Sequence, residues 1–160
     1  MGFKEKARQQ EKDHERIRME LETDYSRWQQ AAFRVIQTID QYITSDPELR
    51  GRLRFEIHDR HITDPFLKSR KQLDKMIIFL KSDPKQSISI LPLPLWPRTK
   101  GEPGRVELKS SLPRDSEYYL TWDGKGESPN NWRIRSSGGL DKRLNPESLD
   151  EVLGEVFALQ

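Results

Sequence analysis

The chain has 160 residues, enough for one domain with an appendage. Charged residues are 34% and the apolar set 33%, and the absence of cysteine excludes a disulfide framework, thiolate chemistry and a cysteine metal site. The net charge is +2, spread as −1 over 1–24, +1 over 25–62, +5 over 63–109 and −3 over 110–160. That basic middle and acidic tail could attract each other, and the middle could also meet nucleic acid.

The chain is read from its first forty-odd residues. Between 4 and 43 there is neither Pro nor Gly and helix formers dominate, which predicts one long helix. Residues 4–20 are almost entirely charged or polar. From there Leu21, Tyr25, Trp28, Ala32, Val35, Ile39 and Tyr42 recur at alternating steps of four and three, the spacing of one helix face. At about 1.5 Å per residue the helix is roughly 60 Å long. A body built from the rest would be only about 35 Å across. The expectation is therefore a protruding charged arm over 1–28, coiled-coil-like in its outer half, and a domain over 29–160. Leu21, Tyr25 and Trp28 are the candidate interaction residues, for a protein partner or a second copy.

Ser45-Asp46-Pro47 ends this helix and starts a short turn before Gly51. Leu53, Phe55 and Ile57 then alternate with polar residues, the period of a half-buried strand. Asp64-Pro65 reads as an N-cap and first helical position, and Phe66, Leu73, Met76, Ile77 and Leu80 fit one helical face. This predicts a middle helix over 65–81 with Lys68, Lys71 and Lys75 on a basic face, closed by Ser82-Asp83-Pro84.

A strand follows at 87–91. The run Leu91-Pro92-Leu93-Pro94-Leu95-Trp96-Pro97 forbids helix and suits an edge strand or an extended segment. Residues 98–104 read as a loop, and 105–109 alternate again. Residues 117–122 and 132–135 form a hairpin around a turn-rich tip, and 136–144 a connection. Asn145-Pro146-Glu147 opens a last, short helix reaching 159. The expected fold class is α+β: a long N-terminal helix, a mostly antiparallel sheet of about five strands, a middle helix and a short C-terminal helix.

Chemistry-bearing residue types cluster once. Glu56-Ile57-His58-Asp59-Arg60-His61-Ile62-Thr63-Asp64 holds two of the three histidines and three carboxylates at a strand end. His58, Asp59, His61 and Asp64 could form a metal or general-base site, which would make the chain a hydrolase or nuclease. The segment resembles the His-x-Lys-x4-Asp motif of phospholipase D-like enzymes. Arg60 stands in the Lys place, Asp64 comes one residue early, and the chain holds no second copy. The alternative is a polar connection in which Asp64 caps and the histidines face water.

A second functional class is a nucleic-acid-binding accessory protein. It would use Lys68, Lys71 and Lys75 of the basic helix, with Arg133 and Arg135 beside Trp132 on the hairpin. The alternative there is a solvated lysine face and a core tryptophan. No Gly-rich loop lies between a strand and a helix, so no phosphate cradle and no cofactor is implied. No apolar run approaches the ~18 residues of a membrane span, and the first ten residues lack a signal core, so a cytoplasmic protein is expected.

The order of features resembles a loose type of small, uncharacterised bacterial protein. These have a charged helical N-terminus before a β-rich domain, which has a Gly-Arg-Val-acidic-Leu strand, a Trp-x-Ile strand and an acidic C-terminal helix. The matching residues are Gly104 to Leu108, Trp132-Arg133-Ile134 and Leu149 to Leu153. The resemblance implies the architecture and no activity. The leading functional expectation is a non-enzymatic interaction or assembly module using the N-terminal helix.

Overall fold

The structure is a computed structural model, and it describes residues 1–95 and 103–158. Helix α1 spans Phe3–Thr44 without a break. A short α2, Pro47–Arg52, follows, and the Asp46 side chain accepts hydrogen bonds from the backbone of Glu48 and Leu49 at its start. Then come β1 (Leu53–His58), β2 (His61–Thr63), β3 (Arg70–Gln72), β4 (Lys75–Leu80), β5 (Asp83–Pro92), β6 (Gly104–Ser110), β7 (Tyr118–Trp122), β8 (Trp132–Ser136) and β9 (Asp141–Arg143). Helix α3, Pro146–Val156, closes the described chain, its first turn held by a reciprocal capping box between Asn145 and Ser148.

Seven strands form one antiparallel sheet in the order β1-β4-β5-β6-β7-β8-β9, and β2 pairs with β3 in a separate hairpin. The α+β class stands, with seven strands in the main sheet rather than about five. The middle helix is not there. Residues 65–81 form a turn, β3 and β4, and in β4 Met76, Ile78 and Leu80 are buried while Lys75, Ile77 and Phe79 face the other side. Ile77 and Phe79 are apolar on the outer face, which hides the period of two. Phe79 is covered there by the Arg54 guanidinium, 4.4 Å from its ring centre. The expected connection at 136–144 contributes β9. Leu91 and Pro92 end β5, a central strand rather than an edge. Pro92 is accommodated because it is the last residue of that ladder. Trp96 and Pro97 of the proline run and most of the following loop lie outside the described residues.

Helices α1 and α3 both lie on the inner face of the sheet. Their buried residues, among them Trp28, Val35, Ile39, Val152 and Val156, join Ile78, Ile90, Val106, Leu120 and Ile134 in one core. Burial on α1 starts at Leu21, so the expected boundary at 28/29 is corrected: Leu21, Tyr25 and Trp28 are at most 2% exposed. They serve this chain's own core and are not an open seam. At the far end Gln86 of β5 exchanges two hydrogen bonds with the backbone of Ala158, tying the exit of α3 to the sheet.

The helix is seated by tryptophans. Trp28 lies 5.7 Å from Trp122 and 5.8 Å from Trp132 between ring centres, and its indole N–H donates to the Leu93 carbonyl at 2.9 Å. Gly104 lies directly beneath it: a Cβ there would sit 2.2 Å from the Trp28 ring. A Gly104→Ala substitution is therefore expected to cost about 1–3 kcal/mol through overpacking, read as a lower urea midpoint at unchanged slope.

Candidate functional site

The segment from His58 to Asp64 does not converge. His58 ends β1 with its ring nitrogen 3.0 Å from Glu56 on the exposed face. The Arg54 and His58 hydrogen bonds hold the Glu56 carboxyl below its ordinary range. Asp59 and His61 are exposed, with His61 on the separate β2–β3 hairpin. Arg60 acts as a pin: its Nε donates to the Leu73 carbonyl at 3.0 Å and an Nη to the Pro92 carbonyl. Burial pulls its guanidinium below the usual range, against the nearby Asp74 carboxylate. Among the described residues no group of three or more His, Cys, Asp or Glu side chains is placed to hold a metal ion.

Asp64 is the buried member, with no exposed surface. One carboxylate oxygen accepts the backbone N–H groups of Phe66 and Leu67, at 2.9 and 2.8 Å. The other accepts the Tyr25 hydroxyl proton, and that hydroxyl accepts the Leu95 N–H at 3.0 Å. The carboxylate caps, as the sequence predicts, but it caps a turn. The turn then places Lys68 at a positive φ of 54°. Asp64 thus ties α1, the β2–β3 turn and the end of the β5 segment together. Sequence reasoning missed this because Tyr25 is 39 positions away. Removing only the hydroxyl, in Tyr25→Phe, is expected to cost about 1.5–3 kcal/mol, since a buried hydrogen bond to a charged group is lost. The check is an equilibrium denaturation titration; an unchanged midpoint would deny the tie.

The lysines of the expected basic helix are dispersed. Lys68 is exposed at the turn. Lys71, on β3, pairs with Glu22 of α1 and lies 5.4 Å from the Tyr25 ring centre. Lys75 starts β4, opposite His58. Trp132 has no exposed surface and cannot act as a stacking platform. Its neighbours Arg133 and Arg135 do face outward, on the opposite side of β8 from the core.

Two features remain open. One is the outer half of α1. Over 3–20 every residue is exposed or half-exposed, including Phe3, Ile17 and Met19, and this stretch runs for about 27 Å. Phe3, Ala7, Gln10, His14 and Ile17 continue, at steps of four and three, the face that carries Leu21 and Trp28 further along. The body reaches this stripe at His14, whose ring lies 4.9 Å from that of Phe66.

The second is the outer face of the sheet, which neither helix covers. On β6–β9 it carries Arg105, Lys109, Arg133, Arg135 and Arg143 against Glu107 and Asp141, by the alternation of each strand. Asp141 accepts from the Nε of both Arg133 and Arg135, and the Arg133 hydrogen bond foremost holds its carboxyl below the ordinary range. The Arg105 guanidinium stacks 3.6 Å from the Tyr119 ring centre.

On the inner face, burial and then a hydrogen bond to Glu155 of α3 push the Tyr118 phenol up to about 12. A phenol raised in the folded state contributes stability that is complete below its unfolded value near 10. That stability is lost as pH rises through about 12. Tyr118 should therefore be among the late tyrosines, and the part of the phenolate absorbance that rises toward about pH 12 should be lost in Tyr118→Phe.

No protein-family model, curated protein or solved structure matches this chain. Among the described residues no helix is long and apolar enough to cross a membrane.

Proposed function

We propose that this chain is a non-enzymatic assembly module whose N-terminal arm pairs with the arm of a second copy. One observation carries the reading: α1 continues for about five turns beyond the core, with Phe3 and Ile17 exposed on a stripe that the body reaches at His14. Exposed pairs such as Gln9–Asp13 and Asp13–Arg16 steady an isolated helix of this composition only slightly in water, and a partner helix on the stripe would add to them.

Charge supports a second copy as that partner. Residues 4–8 carry three cations and one carboxylate, while 11–15 carry three carboxylates and one cation. Two arms laid antiparallel and crossing near Gln10 set Lys6 against Glu15, Arg8 against Asp13 and Glu5 against Arg16. The same alignment brings Ala7 opposite His14 and Phe3 within one residue of Ile17. A parallel alignment would put like blocks side by side, which is unfavourable. The apolar contact is small, so the association is modest and weakens with salt.

The test is solution mass by light scattering at about 0.1 mM chain, well above a micromolar dissociation constant. The expected result is a dimer for the full chain and a monomer for Ala7→Glu combined with Ile17→Glu. Both sites lie outside the core, so the pair should unfold within about 0.5 kcal/mol of the parent. A monomeric full chain, or a dimer untouched by the double substitution, rules the reading out.

A further inference from the structure

The outer face of the sheet contains a row of arginines. Reading across the ladder, Arg143 of β9 is the register partner of Arg133 of β8, Arg133 of Thr121 on β7, and Thr121 of Arg105 on β6. Strands lie about 4.8 Å apart, so the row is about 14 Å long. It holds three guanidiniums and no carboxylate. Like charges directly opposite one another across a ladder are destabilising, and Arg133 and Arg143 are such a pair. The Asp141 carboxylate is shared between Arg133 and Arg135. Arg143 has no ion-pair partner among the described residues. Asp123, at the rim, is occupied by the Lys125 N–H and the Asn131 side-chain amide.

Arg133, Arg135 and Arg143 line a cleft of about 270 Å³ together with Thr121, Asn130, Asn131 and a single carboxylate, Asp123. It thus pairs cationic forks, suited to bidentate contact with phosphate oxygens, with amide side chains that both donate and accept. One register step along, Tyr119 stands between Arg135 and Glu107 on the same open face.

We propose that this face binds single-stranded nucleic acid, with its phosphates along the Arg143–Arg133–Arg105 row. A charged row backed by amides, with the Arg105 guanidinium held on the Tyr119 ring, on an open sheet face matches the demands of a single strand, whose backbone and base edges are accessible together. The surface is separate from the arm and independent of arm pairing. It keeps Arg133 and Arg135 of the site that the sequence alone suggests, without Trp132 and the lysines of the expected helix.

Fluorescence anisotropy of a labelled single strand of about 15 nucleotides in about 50 mM salt, titrated with the full chain, tests it. The expected result is saturable binding that weakens with salt, with a log–log slope of about −2 for three phosphate contacts. Arg133→Gln with Arg143→Gln should weaken binding at least about tenfold and make the slope shallower. Lys81→Gln with Lys85→Gln, an equal loss of charge at the β4–β5 turn, should change it less than about twofold. If the arginine pair fails to fold, Arg143→Glu alone asks the same question at an exposed side chain. No binding in low salt overturns the proposal. So does an equal loss in both pairs, duplex binding as tight as single-strand binding, or capture of tripolyphosphate without the oligonucleotide.

Discussion

The seating of Trp28 against Gly104 organises this molecule. The seat works only because β6 begins with a residue that has no side chain, so the indole can lie on the backbone between Trp122 and Trp132. That contact fixes where α1 crosses the sheet. The rest follows from it: the Leu21 and Tyr25 turns are carried over the β2–β3 hairpin, where Asp64 receives the Tyr25 hydroxyl. The Ile36 to Ile43 turns are carried onto the sheet interior. With α1 and α3 both on the inner face, the outer face is left to water and to whatever charge it carries.

Much of this was legible in the chain. The uninterrupted helix over 4–43, the helix starts at Asp46-Pro47 and Asn145-Pro146, five alternating strands and the acidic last helix all rest on local chemistry. Local patterns report those well. The failure at 65–81 is instructive because each local signal was real. Asp64 does cap, but an aspartate satisfying two N–H groups looks the same whether a helix or a single turn follows. Met76, Ile78 and Leu80 do alternate, but Ile77 and Phe79 fill the gaps, and an apolar run of that length fits either period. The arginine–phenylalanine stack that lets Phe79 face outward needs Arg54, 25 positions earlier, and only the β1–β4 pairing brings it there.

The candidate sites divide the same way. Leu21, Tyr25 and Trp28 were visible as a stripe, but a stripe does not say whether its cover is the same chain or another. Trp132 was visible as an aromatic beside two cations. The alternation of β8 sends the ring inward and the arginines outward, so the two halves of that motif serve different ends. Of the arginine row only Arg133 stood out in the chain. The row's members are consecutive in no segment, and they become neighbours only through the register of four strands.

The continuity of α1 through Glu20 and Leu21 has a geometric consequence. No Gly or Pro separates the arm from the core, so the azimuth of the outer stripe is locked to that of Trp28. An α-helix turns about 100° and advances about 1.5 Å per residue. One residue added or removed at the junction would leave the body and the arm each chemically intact, yet aim the stripe about a quarter-turn away. The number of residues between Ile17 and Trp28 therefore acts as a phase setting, encoding in chain length alone the direction in which the body presents its sheet to anything the arm holds.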